Sequence, residues 1–228
     1  MAKQASKPSE DKSEVSIKSK DRVRGQGEVF TPSWLVNDML DLVEITIDNK
    51  VLEPTCGNGN FLVAVLGRKL KLVRKSKDKS KHDTLSLLAL SSIYGIDIMK
   101  DNVHECRERL IEVLRVCSPA WFTNRKKMFS SAEEILKTNI MWADTLKMKF
   151  LLNNKNLSIT EWALNDKIFS REEYSFKEMI EQGKKESKAS EPIEPGTFGF
   201  EVMTPVPPLM PIKVFTPIHF SKLNEQHD

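Results

Sequence analysis

Glycine is scarce in this sequence, nine residues in 228, and cysteine is scarcer, at three. Cys56, Cys106 and Cys117 fall at no paired or metal-ligand spacing. That excludes a disulfide framework and a thiolate metal site, and it leaves reduced thiols of the cytoplasmic kind. No apolar run is long enough for a membrane span or a signal sequence, so no membrane partner is expected. No charge of one sign dominates, since the formal balance is only +3. Any argument for nucleic acid must therefore rest on where the charges lie and not on their sum. No internal repeat is present. With 39% hydrophobic and 29% charged residues, the chain has material for one α/β domain with tails, and not for a second full domain.

Because glycine is rare, two of them within three positions stand out. The stretch Val51-Leu52-Glu53-Pro54-Thr55-Cys56-Gly57-Asn58-Gly59-Asn60-Phe61-Leu62 begins as a short apolar run ending in a carboxylate. It crosses Gly57 and Gly59 and re-enters apolar residues at helical spacing, which predicts strand, tight loop, helix. Glycines let such a loop turn sharply and approach a ligand closely, and Glu53 can accept hydrogen bonds from it. Two ligands suit a loop of this kind. A dinucleotide needs a third small residue for close helix packing, and that position holds Leu62. A carboxylate before the glycines would also repel a pyrophosphate, but it suits the ammonium of a methionine moiety, so S-adenosylmethionine fits better than NAD. On this pattern alone an ordinary glycine-containing turn stays open.

Two further apolar runs end in acids. Ile93-Tyr94-Gly95-Ile96-Asp97-Ile98 is placed to offer Asp97 to a ribose diol, and Asn139-Ile140-Met141-Trp142-Ala143-Asp144-Thr145-Leu146 to offer Asp144 to an amino group. A turn-capping role for Asp144 is equally open. Helices are predicted from Phe61 to about Arg74, from Thr84 to Ser92, and from Asp101 to Cys117 with Val103, Cys106, Leu110, Val113, Leu114 and Cys117 inward. Thr31 and Pro32 are placed as N-cap and first residue of another, carrying Leu35, Val36, Met39, Leu40 and Val43. Arg68, Lys69, Lys71, Arg74, Lys75, Lys77, Lys79 and Lys81 form a basic stretch that can contact phosphates or be a solvated helix end.

Taken together, Gly27-Glu28-Val29-Phe30-Thr31-Pro32, the glycine loop, Gly95-Ile96-Asp97-Ile98 and Ala143-Asp144-Thr145-Leu146 resemble the cofactor half of adenine-N6 DNA methyltransferases. The order is that of the modification subunits of restriction systems. The resemblance covers roughly residues 25 to 150 and implies a Rossmann-like, doubly wound α/β sheet of the class I S-adenosylmethionine-dependent methyltransferases, here truncated or incomplete. It implies that Glu28, Phe30 and Thr31 wrap the methionine end of S-adenosylmethionine and that Glu53, Gly57 and Gly59 form its cradle. Asp97 would hold the ribose, Ile98 would pack on the adenine and Asp144 would bind its amino group. DNA is the implied substrate.

The family's Asn-Pro-Pro-Tyr or Asn-Pro-Pro-Phe acceptor motif is absent. Its chemistry is to hold the poorly nucleophilic adenine amine by its hydrogens while the aromatic ring stacks on a flipped base. The nearest local substitute is Asn165-Asp166-Lys167-Ile168-Phe169, which makes Asn165 and Phe169 the candidate catalytic pair, with a capped loop as the plainer reading. Three boundaries follow: a flexible basic arm over 1–24, the methyltransferase-like domain over 25–184, and a Pro-rich extended tail over 185–228. Ser170-Arg171-Glu172-Glu173 reads as a capping box opening a helix that stops near Gly183. Too few strands are visible for a full sheet, so an edge must be covered by the tail, a partner chain or a second copy. Two functions stay open: a DNA adenine-N6 methyltransferase acting through a degenerate acceptor or in a complex, or an inactive S-adenosylmethionine-binding subunit or regulator of a modification system.

Overall fold

The three acid-ended runs form neighbouring parallel strands. In this computed structural model, which describes residues 18–26, 28–117, 125–189 and 208–225, β1 (Val51–Glu53) pairs with β2 (Ile93–Asp97) and β2 with β3 (Ile140–Asp144), all in parallel. A two-residue β4 (Lys149–Phe150) returns antiparallel on β3. The order β1-β2-β3-β4 is an α/β sheet wound to one side of β1. Among the described residues no strand pairs with β1's other edge.

Alternation along the strands builds two cores. Ile93 and Ile140 face helices α3 (Asn60–Lys75), α4 (His82–Ser91), α5 (Lys100–Cys117) and α6 (Arg125–Asn139), where Leu62, Val65, Leu66, Leu90, Cys106, Leu110 and Ile135 are buried. Tyr94, Ile96, Met141 and Ala143 face the other way, onto Leu157, Ile159 and Phe176. That second face is covered by the start of β5 (Ser158–Asn165) and by α7 (Phe176–Ala189), while Trp162 of β5 and Phe169 of its antiparallel partner β6 (Ile168–Ser175) join the helical core. No described helix is long and apolar enough to cross a membrane.

Several local expectations are corrected. The basic arm does not run to residue 24: helix α1 (Lys20–Gln26) is tied to the domain, while 1–17 lie outside the described residues. The ties are Lys18 and Arg22, which pair with Asp101 at 3.3 and 2.6 Å. Thr31 is not an N-cap, because α2 (Ser33–Leu40) starts after Pro32 without a side-chain cap and stops before Val43, which is exposed. Ser170-Arg171-Glu172-Glu173 lies inside β6, paired residue for residue with β5. The capping pattern that operates is Ser175-Phe176-Lys177-Glu178, where Ser175 Oγ accepts the Glu178 N–H at 3.4 Å. Helix α7 passes through Gly183, where nothing crowds the backbone, and does not stop there.

The tail's first part, 190–207, lies outside the described residues, as do Phe198 and Phe200. Residues 208–225 are woven into the domain and are not a separate extension. Strands β7 (Lys213–Val214) and β8 (Ile218–His219) pair with β6. Phe215 lies against the buried Arg171 guanidinium at 3.5 Å, and Phe220 and Leu223 pack into the helical core.

Lys69, placed in the basic stretch by its sequence position, is fully buried on the inner face of α3. Its ammonium donates to the carbonyls of Ile47 and Asn49 and to Ser92 Oγ, so it ties the chain before β1 to the chain before β2. Burial lowers its pKa from 10.5 to about 8. The unfolded chain therefore binds more protons between those values, and stability rises with pH across that window. Relative to Lys69→Met, the wild type is expected to gain up to about 3 kcal/mol between pH 8 and pH 10.5 in urea unfolding. Parallel pH profiles for the two proteins would contradict this.

Candidate functional site

The three strands end on one side, and the loops leaving them enclose a cavity of about 600 Å³. Glu28, Phe30, Thr31, Glu53, Gly57, Asp97, Ile98 and Asp144 all line it. Gly59 sits behind the loop, against Cys106. Residues expected at one site from four separate stretches of sequence are therefore brought together. Asn165 and Phe169 are not. They flank the hairpin turn between β5 and β6, where Asn165 pairs with Ile168, and Phe169 is buried edge-on to Trp162 with centroids 6.1 Å apart. A ring enclosed in the core cannot stack on an incoming base, so Asn165 and Phe169 do not form the substitute acceptor. Asp166, with φ 55°, makes the tight turn that the sequence placed as an acceptor loop.

The glycine loop is held from several sides. The Cys56 N–H donates to the Ile96 carbonyl at 2.9 Å, the Gly57 N–H to Asp97 Oδ2 at 2.8 Å, and the Gly59 N–H to the Cys56 carbonyl at 2.9 Å. Asn58 donates to Glu105, and its carbonyl accepts from Arg109. Thr145, just after β3, donates to the Pro54 carbonyl at 2.7 Å, which joins the first and third strand ends directly. Gly57 and Gly59 have φ of 53° and 86°, left-handed values that glycine adopts without strain. A Cβ on Gly57 would stand 3.0 Å from the Phe30 ring, and one on Gly59 only 2.5 Å from Cys106 Sγ.

The close packing of helix on strand that a third glycine provides in a dinucleotide loop is supplied here from the neighbouring strand. A Cβ on Gly95 would lie 2.8 Å from Leu62 Cδ1 and 3.0 Å from Cys56 Sγ. Leu62 occupies the helix position, and Gly95 on β2 makes room for it.

The acids differ in what they already hold. Asp97 accepts the Gly57 N–H on Oδ2 and the Met99 N–H on Oδ1, both at 2.8 Å, with Asn102 at 3.4 Å. A carboxylate has about four acceptor positions, so capacity remains, chiefly on Oδ2. Asp144 accepts the Lys147 N–H at 3.0 Å and pairs with its ammonium at 3.2 Å. Those Lys147 contacts hold its carboxyl below the usual range. The turn-capping role is thus present in Asp144, whatever else it does. Among the described residues Thr55 alone donates to Glu53, and burial pushes its carboxyl above its ordinary value.

Glu28 is engaged by residues the sequence did not single out. Arg22 grips it at 2.7 Å, and Asn102 Nδ2 donates to its Oε1. Asn102, 1% exposed, bridges Glu28 and Asp97 from the inner face of α5. A polar residue beside Val103 and Cys106 on a buried stripe is the signal that could have found it. Arg22 lay in the segment assigned to the arm. Ile98 and Leu146, both substantially exposed, supply apolar surface at the mouth.

A larger cavity, about 1090 Å³, lies between α5, α6, β3 and the hairpin, sharing Met99 with the first. It receives none of the three strand-end acids, so the chemistry converges on the smaller one.

The family model of N-6 DNA methylases matches residues 16–112. That span begins before α1, ends within α5 and carries Glu28, Phe30, Thr31, Glu53, the glycine loop, Asp97 and Ile98; Asp144 lies beyond it. Comparison with curated proteins and with solved structures returns no match.

Proposed function

We propose that this chain, whose residues 16–112 match the family model of N-6 DNA methylases, is the S-adenosylmethionine-binding half of a DNA adenine-N6 methyltransferase, completed by a partner. The observation that supports it is the meeting of Glu53, Asp97 and the left-handed glycine loop around one cavity with room for a nucleoside. The residues fit the cofactor: Glu53 would accept from the methionine ammonium, Asp97 from the ribose hydroxyls, and Ile98 with Leu146 would flank the purine. When bound, the cofactor supplies an electrophilic methyl on a sulfonium. The chain's own part is to fix that group's position against an incoming amine.

What the chain lacks is the acceptor for the amine's hydrogens, since no Asn-Pro-Pro-aromatic sequence is present and Asn165 stands elsewhere. An open sheet edge supports the reading of a partner. Among the described residues nothing pairs with β1's outer edge, and Leu52 beside it is exposed. A strand added there would deliver its following loop next to the cavity. The missing acceptor equally favours a second reading, a subunit that binds the cofactor without transferring the methyl.

The test is methyl transfer from labelled S-adenosylmethionine to adenine-containing duplex DNA, by the chain alone and with candidate partners. The expected result is binding without transfer alone, and transfer once the completing chain is added. Binding without transfer under every pairing leaves the second reading, and absence of binding removes both.

The raised pKa of Glu53 has a consequence for affinity. Its carboxylate must be charged to attract the ammonium, and burial moves its protonation to higher pH than an ordinary glutamate. Affinity for S-adenosylmethionine is expected to fall as pH drops from neutral into the carboxylate range, beginning at higher pH than an ordinary glutamate would give, while the ligand's own ammonium stays protonated. Glu53→Gln is expected to bind weakly and without that pH dependence. A wild-type affinity that is flat over this range by calorimetry would remove Glu53 from the role.

A further inference from the structure

We propose that the C-terminal end of α3 and the turn following it dock the phosphates of a DNA duplex that runs from the cofactor cavity along this helix. The inference rests on the reading of DNA as the substrate and names where its backbone is held.

Residues 71–81 contain Lys71, Arg74, Lys75, Lys77, Lys79 and Lys81, with Asp78 as the single carboxylate. All six basic side chains are exposed. The two cations of the longer stretch that do not belong are removed by the structure, Lys69 by burial and Arg68 by its pairing with Asp41 at 2.7 Å. Asp78 accepts from the N–H and hydroxyl of Ser80 at 3.1 and 2.6 Å and pairs with Lys81 at 3.8 Å, so it offsets one of the six cations and leaves the patch strongly basic. Two of the six, Arg74 and Lys75, also complement the end of the helix dipole. Lys77, Lys79 and Lys81 lie beyond α3 and carry the basic surface on from its end. No aromatic residue is interleaved between 71 and 81, so the surface suits phosphates and not unstacked bases.

Distance ties the patch to the site. Helix α3 begins at Asn60, on the wall of the cavity, and its sixteen residues carry the chain about 24 Å to Lys75. Along a duplex that is about seven base pairs. A duplex with one adenine at the cavity mouth therefore reaches the patch with its flanking phosphates. Contacts of this kind add affinity without sequence preference and release counterions.

The experiment uses the full chain and a fluorescent 30-base-pair duplex, with anisotropy followed against salt. Lys71→Gln, Lys75→Gln, Lys77→Gln and Lys81→Gln are combined in one variant. A control combines Lys126→Gln, Lys155→Gln, Lys177→Gln and Lys184→Gln, which removes the same charge from other exposed positions. The first variant is expected to bind DNA about 10- to 100-fold more weakly at low salt, and to lose about 2 to 4 from the slope of log K against log salt. The control is expected to stay near the wild type, and S-adenosylmethionine affinity to be unchanged in both. Equal weakening in the control, or an unaltered slope in the first variant, overturns the proposal. A wild type that binds S-adenosylmethionine but not DNA overturns it too and leaves the cofactor assignment standing. Failure of cofactor binding with DNA binding lost only in the first variant would sink the cofactor assignment and keep the patch.

Discussion

Gly57→Val is expected to abolish S-adenosylmethionine binding, weakening it by at least about 100-fold, while the chain stays folded. Gly57 has φ 53°, where a β-branched residue is a genuine outlier. Its side chain would start 3.0 Å from the Phe30 ring, the group that covers the loop from the N-terminal side. The loop must then shift, and the Gly57 N–H leaves Asp97. Calorimetry with a thermal melt on the same sample checks this. Gly57→Ala should be intermediate, since it has the same unfavourable φ without the branch. Full affinity in a folded valine variant would show that the loop does not approach the ligand.

Asp97→Ala carries the second large effect. Its carboxylate holds the loop and the start of α5 through the N–H groups of Gly57 and Met99, and the same group is the candidate for the ribose hydroxyls. Losing hydrogen bonds to a charged acceptor costs about 1.5 to 3 kcal/mol each, so affinity is expected to fall by about 100-fold or more. Asp97→Asn keeps the shape and one acceptor oxygen, and it should lose less. Calorimetric titration of the two variants orders them. An alanine variant that binds as tightly as the wild type would place the ribose elsewhere.

The parts legible in the sequence are those where local chemistry and long-range packing agree. The glycine loop is one, because a strand ending in Glu53 and two glycines leave few alternatives. Helix α5 is another, its buried Val103, Cys106, Leu110 and Leu114 falling at the spacing read from the sequence. The illegible parts are held by contacts between distant residues. Nothing in a polar lysine-rich segment signals that Arg22 will meet Glu28 and, 79 residues further on, Asp101. The hairpin was obscured because its inward positions include Thr160 and Arg171, buried polar residues that break the apolar alternation on which a strand is recognised. Lys69 was read with its charged neighbours because only the fold supplies the Ile47 and Asn49 carbonyls that accept from it.

Glu28 illustrates a different limit. Its position in the cavity wall matches the expectation drawn from the resemblance, yet its carboxylate is spent on Arg22 and Asn102. Its role in holding a ligand would therefore pass through the loop it anchors, and Asn102, which also reaches Asp97, connects the two.

The most direct measurement of the central claim is a calorimetric titration of the full chain with S-adenosylmethionine and, separately, with NAD. Strand-end acids around a loop that opens with Glu53 predict saturable one-to-one binding of the first and no heat from the second. A flat S-adenosylmethionine titration from a chain shown by its melting transition to be folded, or equal binding of NAD, would contradict the account.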